Sequence, residues 1–143
     1  MKKYIVIFLI VLFSFPVSGK IINVANGYTS KEIKGEWNIY AEIVESCSEL
    51  EVGHKDLFFV KAKSIGTYKI KITGSPKINV NCKVNGNKIN GSGRIGPGGG
   101  YPRQNVKIIA DIINENKFQG KIYWNIPKYK CQGITQFNAT RFR

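Results

Sequence analysis

The chain has 143 residues and carries 22 lysine and arginine side chains against 9 acidic ones, which gives a formal net charge of +13. This length suits one domain with one hydrophobic core and excludes a second domain. The sequence contains no Walker loop, no Gly-x-Ser-x-Gly nucleophile elbow and no Cys-x-x-Cys pair, and its single histidine leaves little material for a histidine-based catalytic triad.

The N-terminus has the organisation of a secretory signal peptide. Lys2 and Lys3 precede an apolar run at 4–13, and the small residues Val17-Ser18-Gly19 offer a cleavage site before Lys20. A transmembrane helix needs roughly 20 apolar residues, and this run is shorter and is followed by a proline. We therefore expect residues 1–19 to be a signal peptide and residues 20–143 to be a single secreted or periplasmic domain.

Apolar and polar residues alternate with a period of two through the rest of the chain, and no segment shows the 3.6-residue period of an amphipathic helix. Strands are predicted over Trp37–Ile43, Leu57–Lys63, Thr67–Thr73, Lys77–Val84, Lys88–Ile95, Val106–Ile113, Lys117–Trp124 and Gln132–Arg143. Tyr68, Ile70 and Ile72 are predicted to share the apolar face of the third strand, and Asn85-Gly86 predicts a two-residue hairpin turn. The pattern predicts an all-β, eight-stranded antiparallel up-and-down meander that closes into a barrel, with a β-sandwich as the alternative.

A closed barrel requires the first strand to pair with the last. If Trp37 faces Arg141 in an antiparallel pair, Cys47 falls opposite Cys131, and export places both in an oxidising compartment. The register therefore predicts a Cys47–Cys131 disulfide, and Cys82 is left as a buried free thiol. The intervening pairs are Ile39 with Ala139, Ala41 with Phe137, Ile43 with Thr135 and Glu45 with Gly133.

Gly35-Glu36-Trp37 at the start of the first strand, together with Arg141 near the end of the last, resembles the structural signature of the calycins, the lipocalin and avidin type of barrel. The resemblance implies that Arg141 packs over the Trp37 indole. The C-terminal segment 131–141 also resembles that of small secreted bacterial β-proteins without an assigned activity. A second lipocalin motif and a C-terminal helix are missing from the sequence, so the resemblance implies a fold and no ligand.

Positive charge is concentrated in the C-terminal part of the chain. Residues 57–143 contain 16 basic and two acidic side chains, which predicts a partner such as an anionic membrane, a polysaccharide or a protein. Lysine is also common on exposed strand faces, where it blocks aggregation, and this is the alternative interpretation. On the outward parity of the lysine-bearing strands, exposed aromatic residues that could stack on bases are expected to be few, Tyr123 being the main one, so no specific nucleic-acid partner is predicted. The candidate anion-binding residues are Lys69, Lys71, Lys77, Lys83, Lys88 and Lys121.

Two loops have compositions that could form ligand sites. Glu49, Glu51, His54 and Asp56 have cation-ligating side chains, but a solvated acidic loop is favoured. The glycine-rich run 96–100 lacks the following helix of a phosphate cradle and is read as a barrel-end loop. Without a catalytic, cofactor or metal centre, we expect a non-enzymatic binding protein for a small apolar molecule or an anionic surface or polymer; the alternative is a structural or inhibitory protein of the cell envelope. An interior cavity lined by Phe58, Val60 and Trp124 would favour the small molecule.

Overall fold

A computed structural model describes residues 27–75 and 77–142; the predicted signal peptide and its cleavage site at Lys20 lie outside them. Eight antiparallel strands follow one another around a closed barrel, and β8 pairs with β1, so the predicted up-and-down barrel is confirmed and the β-sandwich alternative is wrong. A one-turn helix, α1 (Ser30–Ile33), precedes the barrel. The strands are β1 Gly35–Ser46, β2 Lys55–Gly66, β3 Lys69–Gly74, β4 Ile78–Asn85, β5 Lys88–Ile95, β6 Gln104–Asn114, β7 Lys117–Ile126 and β8 Cys131–Arg141.

The predicted register between β1 and β8 is confirmed from Trp37–Arg141 to Ile43–Thr135. Beyond that point it is wrong by one residue, because a bulge at Val44 places Glu45 opposite Ile134 instead of Gly133. A bulge inserts one extra residue into one strand and bends it. The bulge lies at the end of the barrel where β1 leaves the sheet toward the 47–54 connection.

Inward-facing side chains fill one half of the barrel. β4 shows the alternation most clearly: Ile78, Val80, Cys82 and Val84 are buried and the residues between them are exposed. Around the middle of the barrel the apolar side chains leave a residual cavity of only about 30 Å³. One predicted inward residue is misplaced: Tyr68 is 54% exposed, because the chain is still turning there and β3 begins only at Lys69.

Trp37 and Arg141 close this filled half of the barrel. The Trp37 side chain is 1% exposed, packs edge-on against Phe118 with ring centroids 4.6 Å apart, and donates its indole N–H to the Ile33 carbonyl at 2.8 Å. The Arg141 guanidinium lies over the indole, 4.4 Å from the ring centroid. Ile33 itself is fully buried, so α1 covers the end of the barrel.

The same guanidinium ties together two chain segments that are distant in sequence. It donates to the Glu32 carbonyl within α1 and to the Lys34 carbonyl after it, the latter at 2.9 Å, and to the Glu115 carbonyl of the β6–β7 turn at 2.6 and 3.0 Å. Gly35 makes room for it: its φ is +133°, and a Cβ at that position would lie 2.7 Å from the Arg141 Nη1 atom. A guanidinium has five N–H donors in a fixed plane and makes these four hydrogen bonds at once, whereas an ammonium group has only three donors on one atom.

Replacing Arg141 by lysine tests how far this end of the barrel depends on the guanidinium. Arg141→Lys keeps the charge but leaves carbonyls without donors, so we expect the free energy of unfolding to fall by about 2 to 3 kcal/mol. Arg94→Lys on the exposed outer face of β5 is the matched control and should change it by less than about 0.5 kcal/mol. Equal effects in urea denaturation would contradict the assigned role of Arg141.

The disulfide joins the bulged end of β1 to the start of β8. Cys47 and Cys131 are bonded with their Cα atoms 5.4 Å apart, which confirms the predicted pair. The register at this point differs from the predicted one, because after the Val44 bulge the Cys47 N–H donates to the Gln132 carbonyl at 3.2 Å. The bond spans 84 residues and contributes roughly 4 to 5 kcal/mol in the chain-entropy model. Cys82 is free and buried, as predicted, and burial raises the pKa of its thiol to about 12.

Thiol chemistry should separate the three cysteines. The thiolate is the reactive form, so Cys82, with its pKa raised by burial, should resist alkylation in the folded protein near pH 8 and react fully in denaturant. Non-reducing peptide mapping should recover a peptide pair joined through Cys47 and Cys131. Rapid alkylation of Cys82 in the folded protein, or a bridge that includes it, would contradict this assignment.

Candidate functional site

The end of the barrel opposite Trp37 is open and contains a cavity of about 510 Å³. Proteins bind small molecules in pockets of roughly 300 to 1,000 Å³ that are mostly apolar with a few polar groups. Phe58 and Trp124, which the sequence suggested as cavity residues, both line it, whereas Val60 lies deeper, beside the small residual cavity. Its main apolar lining residues are Ile43, Phe58, Ile95, Ile122, Trp124 and Ile126.

Trp124 forms one wall of this mouth, and two neighbours on β8 hold its side chain. Its indole N–H donates to the Thr135 hydroxyl at 3.1 Å. Gly133 lies opposite Trp124 in the ladder, and a Cβ there would overlap the indole ring. Because Gly133 has no side chain, the Trp124 ring lies flat against β8 and is not pushed into the mouth of the barrel.

The β5–β6 connection, residues 96–103, forms a strap across the mouth. Gly98 and Tyr101 exchange backbone hydrogen bonds of 3.0 and 2.8 Å, which order the strap. The Tyr101 hydroxyl then donates to the Asp56 carboxylate at 2.7 Å, and its ring approaches that of Phe58, 5.9 Å between centroids. β2 and β6 are four strands apart in a ring of eight, so this bond links opposite sides of the barrel.

The polar groups of the mouth cluster at Asp56. His54 Nε2 lies 3.2 Å from the same carboxylate, and burial, with the hydrogen bond to Asp56, raises the pKa of Tyr101 to about 12. The Tyr101 hydroxyl therefore stays protonated and keeps its hydrogen bond to Asp56 throughout the physiological pH range. Across residues 27–75 and 77–142, no side chain of serine, threonine or cysteine is hydrogen-bonded to His54, so the nucleophile–base contact of a hydrolase is missing there.

The acidic loop does not assemble a metal centre. Within the described ranges, no three side chains of histidine, cysteine, aspartate or glutamate are placed to hold a metal ion. Glu51 instead accepts a hydrogen bond from the Ser46 hydroxyl at 3.0 Å, and Glu49 belongs to a short 3-10 turn over residues 49–51. Glu51, His54 and Asp56 contribute to the rim of the mouth.

Three of the six candidate lysines lie side by side on the outer wall. Lys69 on β3 faces Lys83 on β4, and Lys71 faces Lys63 of β2, a residue that was not among the candidates. Like charges directly opposite each other in a sheet are destabilising. The chain has no carboxylate between Leu57 and Ala110, so none of these four lysines has an acidic neighbour on β3, β4 or β5.

The other three candidate lysines occupy different surroundings. Lys88 is also on the outer wall but forms an ion pair with Asp111. Lys77 lies in the β3–β4 turn with a left-handed φ of +39°. Lys121 is on β7, three strands from Lys83, with Asn90 and Ile109 at the same level between them. The outward orientation predicted for Lys88 and Lys121 is correct, whereas Lys77 precedes β4 instead of belonging to it, and the sequence did not predict the neighbours of these side chains around the barrel.

Comparison with known proteins adds no assignment: no protein-family model matches the chain, and a search of curated proteins finds no relative of it. In the part of the chain that the structure describes, no helix is long and apolar enough to cross a membrane. The barrel itself is consistent with a calycin-like fold. Inference about function therefore depends on the geometry of this chain.

Removing the Tyr101 hydroxyl should loosen the strap without unfolding the barrel. In Tyr101→Phe the hydrogen bond to Asp56 is lost, so we expect backbone amides of residues 96–103 to exchange with deuterium several-fold faster while the strands exchange as before. Tyr129→Phe, at an exposed tyrosine in the β7–β8 connection of the same end, is the control. Unchanged exchange in Tyr101→Phe, measured by mass spectrometry, would show that the hydrogen bond does not hold the strap.

Proposed function

We propose that this protein is an exported, non-enzymatic binding protein, of calycin-like type, that holds a small apolar molecule in the mouth of its barrel and presents a basic outer face to an anionic partner. The observation that carries the first part is the 510 Å³ cavity at the end opposite Trp37. Export to the periplasm or the exterior would provide the oxidising conditions in which the Cys47–Cys131 disulfide persists.

The chemistry of the mouth supports a largely apolar ligand with one polar group. Aromatic and branched aliphatic side chains form the walls, and burial of apolar surface is the main source of affinity in such a site. Polar groups converge at one side only, where Asp56, His54 and Tyr101 meet. A ligand that enters beneath the strap would direct a hydrogen-bonding group toward this cluster and its apolar part toward Trp124.

The basic outer face supports the second part. Two directly opposed lysine pairs, Lys63 with Lys71 and Lys69 with Lys83, are unfavourable for the folded protein taken alone. An anionic partner would relieve that repulsion on binding. A structural or inhibitory envelope protein is the competing function, and the cavity distinguishes them because such a protein has no need of an open apolar interior.

Binding of the neutral dye Nile red tests the cavity without interference from the basic face. The fluorescence of the dye should rise when it binds the protein, and the emission of Trp124 should fall. Ile126→Arg places a charge in the mouth, and we expect at least about tenfold weaker binding because an unpaired charge is costly beside an apolar ligand. Ile113→Arg, at an exposed isoleucine on β6, is the control and should bind like the unmodified protein.

A second mouth variant keeps the test independent of folding. Leu50 lines the same cavity but is 97% exposed, so Leu50→Arg removes no core contact. It should weaken dye binding while the thermal midpoint stays unchanged. No dye binding to the unmodified protein, or equal binding by both mouth variants and the control, would refute the cavity as a ligand site and favour the envelope role.

A further inference from the structure

One outer face of the barrel is apolar where the neighbouring outer faces are polar. Tyr40, Leu57, Phe59 and Phe142 are 52%, 48%, 58% and 46% exposed, and together they define what we term the aromatic face. Tyr40 of β1 faces Leu57 of β2, and the rings of Phe59 and Phe142 meet edge-on with centroids 6.0 Å apart. The outward residues of β3, β4 and β5 are, by contrast, only lysine, arginine, asparagine, serine and threonine.

Lysines continue the same outward row on β2. Beyond Leu57 and Phe59, toward the closed end, the outward side chains are Lys61 and Lys63, and both are exposed. Lys63 lies directly opposite Lys71 of β3. Glu36 of β1 faces Lys61 and is the carboxylate next to this stretch on the β1 side. An apolar patch with a basic margin is thus centred on a single strand.

We propose that the outer face of β1, β2 and β3 docks on the surface of an anionic lipid bilayer, with the aromatic face entering the headgroup region and Lys61, Lys63 and Lys71 contacting lipid phosphates. This inference deepens the proposed basic-face function, on which it rests, and is independent of the cavity. Aromatic side chains partition into the membrane interface, and each basic residue near an anionic surface strengthens the attraction by roughly fivefold in affinity.

The chemistry of the face favours a bilayer over other occupants. A soluble polyanion neutralises lysines but offers no apolar region to receive Leu57 and Phe59. A second copy of the chain, packed symmetrically on β2, would bury the opposed pair Lys63 and Lys71 of both copies, and buried ammonium groups without a carboxylate partner are costly. An anionic lipid surface supplies an apolar layer and negative charge side by side.

Vesicle co-sedimentation with two variants and two matched controls tests the proposal. The aromatic variant is Tyr40→Ser, Phe59→Ser and Phe142→Ser; its control is Ile109→Ser, Ile113→Ser and Tyr123→Ser, at exposed apolar residues of β6 and β7. The lysine variant is Lys61→Gln, Lys63→Gln and Lys71→Gln; its control is Lys107→Gln, Lys117→Gln and Lys128→Gln on β6, β7 and the β7–β8 connection. All variants and controls share the same N-terminal residues, so a difference in vesicle binding between them is caused by the substituted surface residues.

Phosphatidylcholine vesicles in which a third of the lipid is phosphatidylglycerol should bind the unmodified protein, and pure phosphatidylcholine vesicles should not. The lysine variant should lose on the order of a hundredfold in vesicle affinity and should also lose heparin binding. The aromatic variant should lose at least about tenfold in vesicle affinity but keep its binding to heparin, and both controls should bind vesicles like the unmodified protein.

Any other result contradicts a specific part of the proposal. If the aromatic variant binds vesicles normally, bilayer docking is refuted while the basic face stands as a polyanion site. If the unmodified protein binds neither vesicles nor heparin, the basic-face function fails as well. If gel filtration shows a dimer that the aromatic variant converts to a monomer, the face is an interface between copies. Thermal midpoints and the intact disulfide establish that each variant is folded.

Discussion

The stacking of the Arg141 guanidinium on the Trp37 indole is the interaction on which the rest of the structure depends. It brings the last strand beside the first, which closes the barrel and removes both sheet edges. Through the carbonyls of Glu32, Lys34 and Glu115 it also fastens α1 and the β6–β7 turn over one end. Because that end is sealed and filled, the interior cavity formed by residues 27–75 and 77–142 lies at the other end.

The open end is organised by different means. A disulfide fixes the departure of β1 to the start of β8, and a single hydrogen bond from Tyr101 to Asp56 holds a glycine-rich strap across the opening. Glycine provides no side-chain packing, so the strap gains stability from this bond, from its backbone hydrogen bonds and from the contact between the Tyr101 and Phe58 rings. The molecule thus joins a rigid closed end to an end where a small local change alters access, a division that suits the binding of a small molecule.

The outer surface is equally asymmetric. The β3–β5 wall is polar and strongly basic, whereas β1 and β2 expose aromatic and aliphatic side chains that a solvated strand does not require. Both features carry a cost for an isolated protein, since opposed lysines repel and exposed apolar area is left in water. A partner that is both anionic and apolar would offset both costs at one site, which is why the two surfaces are best interpreted together.

The sequence by itself determined the eight strands, their inward rows, the closed meander and the disulfide, because strand alternation has a period of two, hairpin turns have local signals, and one correct pair sets an entire register.

The sequence did not predict contacts between residues that become neighbours only when the barrel closes. The Val44 bulge, the reach of Tyr101 to Asp56 and the separation of Lys121 from Lys83 depend on positions around the ring, which no local pattern encodes. The sequence also did not predict the aromatic face, where Tyr40 and Phe59 are more than half exposed. The uninterrupted apolar run 57–60 within an alternating strand was the available signal, but only the tertiary structure decided that its outward members lack a covering layer, because burial is a property of the packed molecule.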